Sequence, residues 1–421
     1  MRAGTEAASE LAMPPGHLNT RKLRALMLCS HPTQYSSPMW RRMAVDSRLD
    51  LLVAYCSLKG AEAHIDPDFG VEVAWDVPLL DGYQWKKIPN ASPKRISRGF
   101  LSLFNPGVWK LIQNGQFDAV LVFTGYMCAT FWIALIAAKL AGIPILYGAD
   151  ATTLRPQDGR GWKVPVKKIL WPRLFGLADV VLVPSSGTAA LMCSLKIPAK
   201  RMELVPYVVD NGWWTAMASR ADRTAVRKNW NIPEDASVIL FCAKLQPWKR
   251  PQDLLQAFAK ASVPDSYLVY AGDGAMRRQL EQQAVDLQIQ DRVRFLGFVN
   301  QSALPGLYCS SDVMVLPSEY EAFGVVVNEA MLCGCPVIAS DHVGSRLDLI
   351  RESETGFVYP ARDVDALSMV LRKAFEPHDK LKRMSAAARE RMSAWSPGMH
   401  VESTIEAIKK AIQFKCGPTE K

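Results

Sequence analysis

The chain has 421 residues, 49% of them hydrophobic and 22% charged, a composition that excludes a disordered or fibrous protein and a length that allows two domains with separate cores. Its net charge of +9 is unevenly placed: residues 1–205 hold 24 Lys and Arg against 15 Asp and Glu, whereas residues 206–421 hold 26 of each. The first half is therefore expected to face an anionic partner, a phospholipid surface or a phosphate-bearing acceptor; nucleic acid is not expected, since no binding motif accompanies the charge.

Residues 1–20 contain Pro14, Pro15 and Gly16 and no continuous apolar run, so they read as a flexible tail and not as a secretory signal. A strand is expected at 26–29, followed by the loop Ser30-His31-Pro-Thr-Gln34-Tyr35-Ser-Ser37 and a helix from Met39. Further apolar runs at 51–55, 119–123, 144–147 and 180–183 alternate with helical or loop segments, the pattern of a parallel sheet covered on both faces. Such sheets place their sites at the C-terminal ends of the strands, here residues 30–37, Thr124-Gly125, Asp150 and Ser185-Ser186. Residues 119–138 carry no charge, but Thr124-Gly125 divides them into a strand and a buried helix over about 127–140, which explains them better than a spanning helix.

Two basic segments of this half are interleaved with aromatics. Lys94, Arg95 and Arg98 precede Phe100, Leu101, Leu103, Phe104 and Trp109; Trp162-Lys163 precedes Lys167, Lys168, Trp171 and Arg173. Cations beside Trp and Phe suit a membrane interface; the alternative is a solvated helix edge with its aromatics in the core. The nine cysteines are scattered singly, mostly in apolar runs, and Cys333-Gly-Cys335 is too tight for a zinc knuckle. Reduced thiols of a cytoplasmic protein are expected, and no metal.

Residues 203–233, with Trp213-Trp214 and a polar, charged run, read as a linker. A second series of strands is expected at 237–242, 267–271, 293–296, 313–316, 336–339 and 356–358, and a last helix over 401–414 with Ile405, Ile408 and Ile412 on one side. The expected division is a tail at 1–20, an acceptor domain at 21–206, a donor domain at 207–395, and a C-terminal helix and tail at 396–421. Two α/β domains of one class, hinged near residue 206, would enclose a cleft.

The chemistry concentrates in the second half. After the strand at 313–316 the chain reads Pro317-Ser-Glu-Tyr-Glu321-Ala322-Phe323-Gly324 and enters a helix with Glu329 about a turn inside it. Free backbone N–H groups at such a helix start can hold an anion, and Gly324 permits close approach of a ligand. The ordinary reading is a corner with solvated glutamates. After the strand at 238–242, Lys244 and Lys249 flank a Pro turn and can neutralise one diphosphate; a solvated turn is the alternative. Ala271-Gly272-Asp-Gly274 opens a helix near Met276, its glycines again allowing close approach.

Taken together, Lys244-x4-Lys249, Ala271-Gly272-Asp-Gly274, the run from Val293 through Gly297-Phe298-Val299, Glu321-Ala322-Phe323-Gly324-x4-Glu329, Gly334-Cys-Pro-Val-Ile-Ala339 and Thr355-Gly-Phe-Val358 resemble the second domain of the retaining GT-B glycosyltransferases of family GT4. The resemblance implies an α/β GT-B fold of two facing Rossmann-like domains with a cleft between them, donor bound by the second, acceptor by the first, and no metal or other cofactor. It implies that Glu321 lies by the donor sugar, Glu329 holds the ribose, and Lys249 binds the diphosphate. It also implies that the amides of Ala322, Phe323 and Gly324 hold the phosphates and sugar, and that Phe298-Val299 holds the base. Lys244 stands where the family usually has arginine, which keeps the charge and loses the bidentate fork. In the first domain the His31-Pro-Thr-Gln34-Tyr35 loop is similar to that of a subset of the family, and the histidine often found after a middle strand is absent at Thr124-Gly125-Tyr126. His31, Gln34, Tyr35 and Asp150 are the acceptor-side candidates; His31 is open to a loop-packing role as well.

The expected function is transfer of a hexose from a nucleoside diphosphate sugar to a hydroxyl of a sugar- or lipid-linked acceptor, with retention, in cell-surface polysaccharide, glycolipid or glycoside synthesis. The protein is expected in the cytoplasm, with peripheral contact to an anionic membrane through its basic half. A nucleotide-sugar epimerase of the same plan and a non-catalytic sugar-nucleotide-binding subunit are the alternatives.

Overall fold

The computed structural model describes residues 21–65, 70, 72–93, 99–156, 159–376 and 380–416. The tail at 1–20, the basic cluster Lys94, Arg95 and Arg98, and residues 417–421 lie outside them.

The strands in chain order are β1 (Leu23–Cys29), β2 (Leu49–Tyr55), β3 (His64–Ile65), β4 (Glu72–Val73), β5 (Trp85–Lys87), β6 (Ala119–Phe123), β7 (Ile145–Gly148), β8 (Val180–Val183), β9 (Met202–Leu204), β10 (Ser237–Cys242), β11 (Ser266–Ala271), β12 (Val293–Gly297), β13 (Val313–Leu316), β14 (Val337–Ser340) and β15 (Gly356–Tyr359). Seven form one sheet in the order β5-β2-β1-β6-β7-β8-β9 and six a second in the order β12-β11-β10-β13-β14-β15, while β3 and β4 make a small antiparallel ribbon. All pairings within the two large sheets are parallel. In each, strand order reverses beside the first strand of its series, β1 or β10, so adjacent crossovers diverge and leave a crevice at the strand ends. The two sheets make two Rossmann-like units, the architecture the resemblance implies.

Three apolar layers hold this arrangement. One packs the outer side of the first sheet (Leu26, Val120, Phe131, Trp171) and one the outer side of the second (Ile239, Phe258, Leu280, Leu371). The third runs between the sheets, from Met27 and Trp40 through Trp214 to Met314, Met331 and Ile405. Strands buried on both faces need apolar residues at every position, and β8, β13 and β14 are buried throughout.

The stretch expected as a linker is corrected. Residues 211–229 hold two helices, Asn211–Ala218 and Arg223–Asn229, N-capped by Asp210 (from Trp213 N, 3.1 Å) and Asp222 (from Ala225 N, 2.9 Å). They pack on the second unit: Trp214 is buried against Tyr308 at 5.9 Å between ring centres. Arg227 is buried as well, donating to Asp312 and to the carbonyls of Ser310, Glu234 and Ala236. The connection proper is residues 205–210. The chain crosses back at the end: the helix Pro397–Cys416 lies against strands β6 to β9 and buries Val401, Ile405, Ile408 and Ala411. Among the described residues no helix is long and apolar enough to cross a membrane; residues 119–138 are β6 and a helix, Ala129–Leu140.

Candidate active site

The loop after β13 is sewn to the loop after β14. Gly344 N donates to Glu321 O (3.0 Å) and Ser345 N to Phe323 O (2.9 Å); a Cβ on Gly344 would sit 1.9 Å from Ala322 O. The Phe323 ring is buried between Tyr207 and Trp395, so the side chain anchors the loop and only its backbone is offered to a ligand. The amides of Ala322, Phe323, Gly324 and Val325 have no backbone acceptor among the described residues. The helix they lead into, Val326–Leu332, is seven residues long. Its dipole is correspondingly small, and the unbonded amides, not the dipole, give the loop its capacity for an anion.

Lys249 and Glu321, 72 residues apart, form a half-buried ion pair, and Ser318 Oγ donates to the same Glu321 oxygen at 3.4 Å. The alternative of a solvated Glu321 is thereby set aside. Lys249 ends the 3₁₀ turn Pro247–Lys249 after β10, and the next residue, Arg250, has φ +54° and is clamped by Asp253 through two 2.8 Å bonds. Lys244 is half-buried at the start of the same loop.

Glu329 is 5% exposed and accepts from Tyr308 OH at 2.9 Å. Burial pushes its carboxyl up to about 7, the Tyr308 bond opposing. A carboxyl so placed is held near neutrality until a ligand supplies donors to its charged form.

The glycines of the 271–274 turn have a different cause from the one expected. Gly272 (φ +140°) and Gly274 (φ +151°) face the chain itself: a Cβ would lie 2.0 Å from Ala243 O and 2.6 Å from Leu245 O. The turn is laced to the lysine loop by Leu245 N to Asp273 O (2.9 Å) and Met276 N to Leu245 O (3.1 Å). These glycines let the turn pack against the lysine loop. At Gly324 (φ +89°) an added Cβ would likewise crowd Leu316, Glu321 and Val343 at 3.1–3.3 Å.

On the facing unit, His31 lies exposed after β1 with Nδ1 2.9 Å from Ser30 Oγ, and Gln34 is half-buried. Tyr35 keeps part of its ring at the surface, while burial of its hydroxyl end raises its pKa, Asp150 adding to the effect. Asp150 follows β7, and desolvation raises its carboxyl. Its charge acts on Tyr207 and on Tyr320 of the opposite loop, both already raised by burial. Asp150 thus lies within electrostatic reach of Tyr320, the neighbour of Glu321 in the facing loop.

Phe298 stands beside Trp75 of the first unit, ring centres 5.9 Å apart. Around it Asn300 Nδ2 donates to Ala74 O (2.7 Å) and Ser302 donates to the Asp76 carboxylate. A second crossing ties Ser186 N to Asp348 at 3.0 Å. Tyr308, Asp348 and the Trp75–Asp76 strap were not singled out from sequence, each being distant in the chain from the residues it contacts; Tyr320 lies inside the quoted motif but was given no role.

Comparison with known proteins agrees with the geometry. A model described as glycosyl transferases group 1 matches residues 222–391, and one described as glycosyl transferase 4-like domain matches residues 34–208. The D-inositol 3-phosphate glycosyltransferase of Geodermatophilus obscurus is 35% identical over 225 residues, 51% of this chain and 48% of that protein. The N-acetyl-alpha-D-glucosaminyl L-malate synthase of Bacillus anthracis is 29% identical over 285 residues, 67% of this chain and 71% of that protein. Matches to several curated relatives span about half of their length. Among solved structures, Anabaena Alr3699/HepE in complex with UDP superposes with a TM-score of 0.69 at 18% identity, over 92% of this chain and 100% of that one. The sucrose-phosphate synthase of Thermosynechococcus elongatus does so with a TM-score of 0.69 at 18% identity, over 92% and 99%.

Proposed function

The chain belongs to the GT4-type glycosyltransferases, and from that premise we propose that it moves a hexose from a nucleoside diphosphate sugar to a hydroxyl acceptor with retention at the anomeric carbon. The observation that carries the reading is the meeting of Lys249, Glu321 and the unbonded amides of residues 322–325 at the end of β13. In this reading Lys249 exchanges Glu321 for the donor diphosphate and neutralises it as it leaves. Glu321, released from the lysine, accepts from hydroxyls of the sugar, and the amides take the phosphate oxygens. Glu329 receives the ribose hydroxyls at the floor, and Phe298-Val299 borders the base. A UDP donor is supported by the UDP and UDP-glucose held in solved structures of this fold.

The acceptor enters from the side of Asp150, Tyr35 and His31, on the same face as the departing diphosphate, and passes its proton to a leaving phosphate oxygen. Lys244 adds positive charge to the diphosphate region.

Incubation with UDP-, GDP- and ADP-sugars tests this: slow donor hydrolysis is expected with one of them. Glu329→Ala should lose donor binding, and Lys249→Ala and Glu321→Ala should lose turnover. Unchanged binding and rates in all three would sink the assignment.

A further inference from the structure

We propose that the helix Lys163–Gly176 docks the protein on an anionic bilayer surface. The helix is apolar on two sides. Trp171, Leu174 and Phe175 face the core, Phe175 stacked on Tyr147 and Trp171 donating to Tyr126 OH at 3.0 Å. The opposite side presents Trp162, Val166, Ile169, Leu170 and Leu177, each 40–63% exposed. Their spacing of four, three or four, and seven or eight residues puts them along one stripe. A globular helix with its core face already satisfied gains nothing within the chain from a second apolar stripe.

Other exposed apolar side chains lie on the same unit. Met127 follows Tyr126 and is 61% exposed; Cys128 Sγ lies 3.9 Å from Ser102 Oγ, which brings the exposed Phe100 and Leu101 beside it.

Charge selects the occupant. Residues 159–178 contain Arg160, Lys163, Lys167, Lys168 and Arg173 and no Asp or Glu. Apolar side chains framed by cations match acyl chains below anionic headgroups. A second copy meeting this face across a two-fold axis would set the same five cations against themselves, so self-association is disfavoured. Lys167 Nζ also donates to Leu154 O at 3.2 Å, in the loop that follows Asp150. Docking would hold the acceptor side of the crevice close to the headgroups, where a lipid-linked hydroxyl is presented. That last consequence rests on the proposed transfer reaction; the docking itself does not.

The full chain is sedimented with vesicles of phosphatidylcholine alone and with about one-third phosphatidylglycerol, at low and high salt. Pelleting with the anionic vesicles at low salt, weakened by salt and by removal of the anionic lipid, is expected. Ile169→Ser with Leu170→Ser should lower the bound fraction about tenfold or more, and so should Lys168→Gln with Arg173→Gln. Circular dichroism and the melting temperature of both variants should match the parent, since all four residues are exposed. No pelleting by either vesicle type, or pelleting that both double variants leave unchanged, overturns the proposal. Concentration-dependent self-association in the absence of lipid, abolished by Ile169→Ser with Leu170→Ser, overturns it too and assigns the face to a second copy. None of these outcomes depends on donor binding, so failure here and failure of the donor-site reading are separable.

Discussion

Replacing Glu329 by Gln should make the protein more stable and a poorer nucleotide binder, with the two effects separated by pH. The carboxyl is buried beside Tyr308 and pushed from 4.5 up to about 7. Between those values the folded chain keeps a proton that the unfolded chain has released, so folding takes up a proton and stability falls as pH rises through this window. Above pH 7 both states are ionised and the loss is complete, at about 3 kcal/mol for a change of this size. Glutamine cannot ionise and can still accept from Tyr308. Urea unfolding followed from pH 5 to pH 8.5 should therefore show parent and variant nearly equal at pH 5 and the variant more stable by about 3 kcal/mol at pH 8 and above. Nucleotide binding should run the other way. Ribose hydroxyls donate to the charged form, so UDP affinity of the parent should rise as pH climbs toward 8. In the variant it should be flat and about tenfold weaker, the difference between a charged and a neutral acceptor. Parallel stability curves for parent and variant would refute the argument at its base, because they would mean that Glu329 releases its proton in the fold as it does in water.

Lys249→Ala and Glu321→Ala should each lower kcat by about a hundredfold to a thousandfold with folding retained, as expected for groups aimed at developing charge, and stopped-flow or discontinuous transfer assays would read it. Gly272→Ala forces a Cβ to 2.0 Å from Ala243 O and should cost about 3 kcal/mol in urea unfolding. Gly125→Ala, with nothing within 4 Å of its Cβ, is the control that should change little. Arg227→Ala strips a partner from Asp312 and donors from three backbone carbonyls, two of them buried, and a loss of about 3–5 kcal/mol is expected by the same measurement.

The strands were legible because parallel sheets buried on both faces demand continuous apolar runs, and β6, β8, β10 and β13 have the expected bounds. The edge strand β5 was not: Trp85, Lys86 and Lys87 are all exposed, and an edge with one bonded side imposes no apolar pattern. Residues 211–229 looked like a linker because charge reads as solvent, yet Arg227 is inside, its charge met by Asp312 and its fork filled by carbonyls. Sequence spacing brought out Lys249, Glu321 and Glu329, since the first two sit in short loops at strand ends and the third in the helix that directly follows one of them. It did not bring out Tyr308, whose contact with Glu329 depends on how two helices pack, nor the strap at Trp75 and Asp76, which belongs to the other unit. The glycines at 272 and 274 were legible as obligatory, but their reason lay in a loop 29 residues earlier, where Ala243 and Leu245 turn their carbonyls toward them.

The helix that carries Glu329 also touches the connection between the units. Asn328 Nδ2 donates to Tyr207 O at 3.0 Å, and Trp395 Nε1 donates to the same carbonyl at 2.9 Å. His400, kept below its usual pKa by burial, has Nδ1 2.9 Å from Pro206 O. Tyr207 in turn packs on Phe323, which anchors the anion loop. Both chain crossings, at 205–210 and at 395–397, therefore converge on the residues beside Glu329 and Glu321. A rotation of one unit against the other about residues 205–210 would bear on Tyr207, whose carbonyl holds Asn328 and whose ring holds Phe323. A ligand that shifted this loop or helix would reach residues 205–210 directly, through the Asn328 hydrogen bond and the Phe323 ring contact. The same linkage would run in reverse: in the proposed reaction, the spacing of the facing strand ends would bias the loop of Glu321.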